Sequence, residues 1–472
     1  MSLIRSGGIT ASPSTTAFGE ALVSQETPVT QVSSEYGLLN VLTPLLGGTA
    51  SITDGMFTAS TGAGANNVAA VISERESNQR PGQGLSCKLS ALFSIGQPNN
   101  LQQAGLISSE SAFAFGYNGD SFGVLYGSGG QLETQSLQIT TGGGAETATI
   151  TVDGVAYSVP ITNSTIIENA YEIAQELNAL EPRYRFASNN DTVTALARLP
   201  DFGGGAFAFS SATAVATWTQ IKAGLIPVEV WTPIESWNIA PNFNIDPTKL
   251  NDFKIQIQGN VNFYIKDGDT GSFVLVHVLK YINAATKPSI ENPTFRVGWA
   301  ARNLGNTTDI IVKGGYGATF VEGMIKYNQQ SRGQFNIQAS VGGTLTNVLS
   351  FRNRAVFKGS ANRAEIIPLV LSLGTDSTKP AIFEVTISPQ TTDFFEWQYI
   401  DEESSLMEYS ISDVPITGTA IAAFTVLGAS EAIDIQNIIE YQVPTSEFSI
   451  SARTTQGAAS SMVVSGTWKE DL

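Results

Sequence analysis

Residues Phe253 to Tyr281 read F-K-I-Q-I-Q-G-N-V-N-F-Y-I-K-D-G-D-T-G-S-F-V-L-V-H-V-L-K-Y. Phe253, Ile255 and Ile257 alternate with Lys254, Gln256 and Gln258, and Asn260 ends that run. Phe263 to Lys266 then rises to the turn Asp267-Gly268-Asp269-Thr270-Gly271, and Phe273 to Tyr281 descends from it. Period-two alternation broken by Gly and Asp is the pattern of consecutive antiparallel strands joined by a hairpin. Phe273, Leu275, His277, Leu279 and Tyr281 share one face of the last strand, and Val274, Val276 and Val278 the other. Both faces are largely apolar, which predicts a strand in the interior of a sandwich.

The same grammar extends in both directions. On the N-terminal side, L-S-C-K-L-S-A-L-F-S-I sets Leu85, Cys87, Leu89 and Ala91 on one face, so Cys87 reads as a small buried apolar residue. S-A-F-A-F-G-Y-N-G-D-S-F-G-V-L-Y reads as a hairpin turning at Asn118-Gly119. Past Gln135 the character changes. A Gly-rich loop at Gly142 to Gly144 leads into a hairpin turning at Asp153-Gly154. A helix follows, with Ile166, Ala170, Ile173, Ala174 and Leu177 at spacings of three and four, a cap at Asn163 or Ser164, and Pro182 beyond its end. More short strands complete the unit near Gly224.

The predicted fold is mainly β: two antiparallel β-sandwiches, the first jelly-roll-like, with a small inserted α+β domain. Residues 1–36, rich in Ser, Thr, Gly and Pro, read as an extended N-terminal arm. Residues 37–134 and 225–325 form the first sandwich, 135–224 the insertion with the Gly-rich loop as a flexible joint, and 326–472 the C-terminal sandwich. That last section reads as eight strands, F-F-E-W-Q-Y-I at Phe394 to Ile400 among them, at spacings of roughly 8 to 20 residues.

Composition narrows the function. The chain has 472 residues, enough for several domains. It is 42% hydrophobic and only 14% charged, below the usual quarter, with a net charge of −17. It lacks the basic stripe of a nucleic-acid binder, and the acidic balance disfavours anionic membranes. No run of about 18 apolar residues appears, so no membrane span is predicted. The start, M-S-L-I-R-S-G-G, has no apolar core of signal-peptide length, and the expectation is synthesis in a cytosol without ordinary export.

One cysteine and one histidine, His277, leave no intramolecular disulfide and little room for zinc or Ser-His-Asp chemistry. Asp267 and Asp269 suggest calcium, but the fifth and twelfth positions of such a loop hold Gly271 and Val278, so a turn is the reading. Gly142 to Gly144 lacks the G-K-[ST] of a phosphate loop. Asp401-Glu402-Glu403 reads as a solvated charge run, and no strand carries the alternating acids of a glucanase. No catalytic, metal-binding or cofactor-binding residue is expected. Trp231, Trp237 and Trp299, with Trp397 and Tyr399, are the candidates for stacking on a glycan.

Several stretches carry a resemblance: R-P-G-Q-G-L at Arg80 to Leu85, F-A-F-G-Y-N-G-D-S-F-G-V-L at Phe113 to Leu125, and G-S-F-V-L-V-H at Gly271 to His277. N-L-G-N-T-T at Asn303 to Thr308, T-L-T-N-V-L-S-F-R-N at Thr344 to Asn353, and the inserted A-T-I-T-V-D-G-V-A-Y-S-V-P complete the set. Together, from Tyr36 to Leu472, they resemble a family of virion structural proteins of tailed phages and large DNA viruses, with a concanavalin-like jelly roll. The resemblance implies a non-enzymatic fibre, spike or decoration protein of the virion surface, assembled in the host cytoplasm. It implies a homo-oligomer, a trimer by analogy with fibres, that reaches other virion proteins through the N-terminal arm. A carbohydrate-binding adhesin contacting host-surface glycan is the alternative, and a glycosidase the third reading.

Overall fold

The computed structural model describes residues 26–43, 45–79, 83–108, 111–198, 205–280, 290, 293–322, 331–376, 378, 380–391, 393–428, 431–436, 438–439, 446–456 and 459–471. The chain is mainly β and built of antiparallel sheets. It divides into two compact units. One comprises Met1–Gln131, Leu199–Asp201 and Leu225–Lys326; the other comprises Leu132–Arg198, Phe202–Gly224 and Tyr327–Leu472. Among the described residues no helix is long and apolar enough to cross a membrane.

The first unit is a sandwich of two nine-stranded sheets. Leu85–Phe93 is the hub of one. Asn251–Gln258, Asn260–Lys266 and Phe273–Leu279 follow on one side, and Ile311–Gly314 and Tyr316–Glu322 share the other. The second sheet runs Val228–Pro233, Ser121–Ser128, Ser111–Asn118, Asn100–Ile107, Thr294–Asn303, Val68–Ser73. Alternation supplies the core: Leu85, Cys87 and Leu89 from the first sheet meet Phe113, Phe115, Phe295 and Trp299 from the second. The ring centroids of Phe115 and Phe253 lie 4.6 Å apart across that core.

Three local expectations are corrected here. Phe273–Leu279 is an edge strand, not an interior one. Its outer edge is closed by the segment after Trp237. Ala240 N–H donates to Val276 O, Val278 N–H to Asn238 Oδ1, and Asn238 Nδ2 to Val278 O. The hairpin turn is Gly119-Asp120, one residue later than read: Asn118 pairs with Ser121 and closes the ladder, and Gly119 takes φ +64°. Residues 26–36, read as part of an arm, are a strand, Glu26–Ser33, followed by a 3-10 turn, Ser34–Tyr36. Glu26–Ser33 pairs with Tyr316–Glu322, burying Thr30 and Val32, and Glu26 binds Lys88 at 2.5 Å. The rest of the predicted arm, 1–25, lies outside the described residues, as do Arg80 to Gly82.

In the second unit, residues read as an insertion form a four-stranded and a three-stranded sheet around the helix Ile166–Leu180. The helix buries Ala170, Ile173, Ala174 and Leu177, the apolar positions found by spacing. Its cap is Thr165, not Asn163 or Ser164, because Thr165 alone closes a reciprocal capping box with Glu168. The Gly-rich loop is packed rather than a flexible joint. Gly143 N–H donates to Asn169 Oδ1 at 2.8 Å, and a Cβ on Gly142 would overlap Ser164 O.

The C-terminal sandwich sets a four-stranded sheet, Ser331–Val341, Ser460–Asp471, Glu365–Thr375 and Glu431–Asp434, against a six-stranded one. The six run Gln398–Tyr399, Met407–Ser410, Thr346–Asn353, Glu447–Thr454, Ala381–Ile387 and Ala420–Val426. Of the eight strands read from sequence, Phe394 to Ile400 shrinks to Gln398–Tyr399, and Met407–Ser410 and Glu431–Asp434 were not foreseen. The α+β segment groups with this sandwich by contact, while its two sheets are built only of its own strands. Polar bonds join the two, and the site below contains them.

Candidate functional site

The six-stranded sheet has an apolar face and a polar face, and both are largely buried. Leu349, Phe351, Phe448 and Ile450 fill the core on one side. On the other, register aligns Glu408 with Arg352 and Arg352 with Glu447, a charged row across three neighbouring strands. Two residues further along, Ser410, Ser350 and Ser449 form a buried hydroxyl row. Ser350 and Ser449 both donate to Asn347 Oδ1 at 2.8 Å.

Arg352 is held on three sides. Its Nε donates to Glu408 Oε2 at 2.8 Å, its Nη2 lies 2.6 Å from the same oxygen, and Nη2 also donates to Ser188 O at 2.7 Å. Its guanidinium carbon sits 4.3 Å from the centroid of the Trp397 ring. Asn189 Nδ2 donates to the other oxygen of Glu408 at 2.6 Å. Ser188 and Asn189 belong to the α+β segment, so this buried pair pins that segment to the sandwich.

Glu447 ends the row differently. Burial pushes its carboxyl above the ordinary range; Arg352 opposes that shift and Glu408 adds to it. It lines a cavity of about 160 Å³ with a mostly polar wall. Tyr171 and Gln175 of the helix, Gln390, Thr391 and Phe395 enclose the same space. Burial also raises the Tyr171 hydroxyl, with Glu447 contributing.

The residues singled out by sequence are engaged elsewhere. Trp299 is fully buried and donates from Nε1 to Ser90 O at 2.9 Å. Trp237 is buried and donates to Thr232 O at 3.2 Å. Neither ring has a free face, so glycan stacking on them is ruled out by packing. Trp231 is half-buried on the edge strand Val228–Pro233, opposite Leu125. Trp397 and Tyr399 each carry an arginine on the ring, Arg352 and Arg354, the latter at 4.1 Å.

His277 accepts from Asn238 N–H at Nδ1, and burial lowers its pKa, so it stands as a neutral, packed imidazole. Cys87 is fully buried, and burial pushes its thiol far up. The Asp267 carboxylate closes its own turn, accepting from Asp269 N–H and the Thr270 hydroxyl. Asp401 caps its loop by accepting from Glu403 and Ser404 N–H. Among the described residues no group of three or more His, Cys, Asp and Glu side chains converges as a metal site would require.

A second feature is a surface. Ser331–Val341 is the outermost strand of the four-stranded sheet, and its alternation is inverted. Arg332, Gln334 and Asn336 turn toward the sandwich, where Asn336 Nδ2 donates to Val348 O at 2.7 Å. Phe335 and Ile337 point outward, 65% and 56% exposed. Ser465 and Val463 lie beside them on the next strand. Among the described residues no backbone hydrogen bond caps the outer edge, in contrast to Phe273–Leu279. Sequence alternation found the strand but not which face was outward.

No family model and no curated protein matches the chain. Among solved structures, the chain is similar to a lectin UEA-II complexed with galactose, at 7% identity and a TM-score of 0.23, over 63% of this chain and 100% of that one. It is similar to the carbohydrate recognition domain of Emp46p in metal-free form, at 9% identity and 0.22, over 62% and 98%. Lectin II from Ulex europaeus aligns at 8% identity and 0.22, over 60% and 93%. At these scores the matches carry no argument about the fold or a ligand of this chain.

Proposed function

We propose that the protein is a non-catalytic structural component of a virus particle that assembles with copies of itself through the open edge Ser331–Val341. The observation that carries the self-assembly is the inverted alternation of that strand: an eleven-residue edge that turns polar residues inward and presents Phe335 and Ile337 to solvent. An uncapped edge offers a row of backbone donors and acceptors to another strand, and proteins usually blunt such edges. Here the outward residues are apolar and the neighbouring Ser465 and Val463 are uncharged. A chain carrying −17 repels its own copies, so a contact between copies belongs on a face poor in carboxylates.

Two identical antiparallel edges meet across a two-fold axis, so this contact builds a dimer. The trimer implied by the fibre resemblance requires a different, head-to-tail contact. Place in a virion rests on the sequence resemblance, with residues 1–25 as the segment that reaches other particle proteins.

The test is the mass of the full chain in solution by light scattering over a range of concentration and salt. The expected result is a dimer that tightens with salt as repulsion is screened, and a monomer of unchanged melting temperature for Phe335→Lys with Ile337→Lys. A wild-type monomer at every concentration, or a dimer indifferent to both changes, overturns the assembly reading. Absence of the chain from purified particles by mass spectrometry overturns the virion reading separately.

A further inference from the structure

We propose that the α+β segment is a detachable module, which swings away from the C-terminal sandwich on the paired neck Gln131–Leu225 and is latched to it by Arg352 and Glu408. The proposal does not rest on the self-assembly reading. The segment is complete without the sandwich. Its two sheets contain only its own strands, and among the described residues no ladder crosses to the sandwich. Leu137, Ile150, Val159, Ile173, Leu177 and Val193 are fully buried on its strands and helix. Its buried carboxyls are satisfied from within: Glu133 accepts from Tyr184, Gln135 and Gln220, and Glu181 from Tyr157 and Arg183. Its ends meet, because Gln131 and Leu225 exchange both backbone hydrogen bonds, at 2.8 and 2.9 Å. A segment that enters and leaves at one point can turn there without breaking a strand.

The seam has the chemistry of a surface that parts. The helix buries Ala170, Ile173, Ala174 and Leu177. Tyr171, Gln175 and Asn178, at spacings of four and three, line the cavity beside Arg352 instead. Permanent packing uses an apolar stripe, and this second stripe is polar. The cavity, about 160 Å³ with a mostly polar wall, has Tyr171, Gln175 and Ser188 on one side and Arg352, Trp397 and Glu447 on the other. A polar cavity of that size is a place for water. Polar interfaces between compact parts of one chain are the ones along which those parts move.

The latch is built to open without stranding a charge. Arg352 and Glu408 lie on neighbouring strands of the sandwich, so their ion pair stays whole when the segment leaves. The bonds that break are those to Ser188 O and Asn189 Nδ2, and that of Lys222 Nζ to Ser360 Oγ. Water replaces each of them. Separating a buried pair is costly because one charge is left alone, and here neither is.

Thiol labelling of the full chain with a maleimide, read site by site by mass spectrometry, tests this. Ala174→Cys puts a thiol on the cavity wall, where Ala174 is 4% exposed. Ala148→Cys puts one in the interior of the segment, and the native Cys87 reports on the first unit; both positions are fully buried. Local opening below the cost of global unfolding is expected to label position 174 at least tenfold faster than 148 or 87. Asn189→Ala removes a bond across the seam and keeps the ion pair. It is expected to speed labelling at 174 at least threefold and to leave 148 unchanged. If Ala174→Cys does not fold, Ser188→Cys, on the same cavity wall, serves with the same comparisons. One common rate at 174, 148 and 87 means that the segment leaves the sandwich only by unfolding, and overturns the proposal. A rate at 174 indifferent to Asn189→Ala overturns it as well.

Discussion

Arg352 and Glu408 form a two-point ion pair, 2.8 and 2.6 Å long, on neighbouring strands of a buried polar sheet face. Each also binds the α+β segment, through Ser188 O and Asn189 Nδ2. Removing one partner leaves the other charge buried and alone, which costs about 3–5 kcal/mol. Arg352→Ala is therefore expected to lower the urea midpoint of this unit and to speed amide exchange across Tyr184–Asn189. Removing both charges together, as Arg352→Met with Glu408→Leu, is expected to cost less than Arg352→Ala alone. A double-mutant cycle checks both statements.

Gly314 packs its backbone against the indole of Trp299. A Cβ there would overlap Trp299 Nε1 and lie 2.6 Å from Ser90 O, the acceptor of the indole N–H. Neither neighbour is a flexible tip. Gly314→Ala is expected to destabilise the first sandwich by about 1–3 kcal/mol, the usual cost of overpacking a full core. Gly268→Ala, where a Cβ meets open space, is the control and is expected to leave the melting temperature within a degree or two.

Acid should loosen the strand Glu26–Ser33. Burial by itself raises the Glu26 carboxyl, but the Lys88 hydrogen bond, the Lys254 charge and the Ser86 hydrogen bond outweigh it and hold it below its ordinary 4.5. A depressed carboxyl contributes stability that is complete above the unfolded value and lost as pH falls through the folded one. Wild type is expected to lose more stability than Glu26→Gln below pH 4.5, the two curves converging in stronger acid. Amide exchange in Glu26–Ser33 against pH reads this directly.

Glu447 has the opposite sign. Its carboxyl is raised, so its protonated form suits the fold, and stability falls as pH rises from 4.5 through the folded value. Glu447→Gln keeps the shape and removes the charge. It is expected to melt higher than wild type at neutral pH and at the same temperature below pH 4.5. Paired thermal melts over that range decide it.

Much of this architecture was legible in the sequence because alternation records which side chains are buried. Leu85, Cys87, Leu89 and Ala91 were placed in the core by spacing alone, and so were the five apolar positions of the helix, four of which are fully covered. Alternation does not record which strands are neighbours. Glu408, Arg352 and Glu447 each look like an outward polar residue in its own strand, and they become a row only through register between distant segments. Phe273–Leu279 was read as interior for the same reason: its cover, Asn238 and Ala240, comes from an earlier segment. Trp237 and Trp299 misled because an aromatic ring in a sandwich has the same sequence signature whether it is packed or open.

The pairing of Glu26–Ser33 with Tyr316–Glu322 has a consequence for the order of synthesis. The first described strand of the chain finds its neighbour only after almost the whole of its unit has been translated. Until then its backbone groups have no partner on the ladder, and the first sandwich cannot close. The α+β segment emerges earlier, and its helix and hairpin make mostly local contacts, which form fast. A nascent chain stalled before Tyr316 would therefore carry an ordered middle between two unfinished margins, a state in which chaperone engagement is most needed.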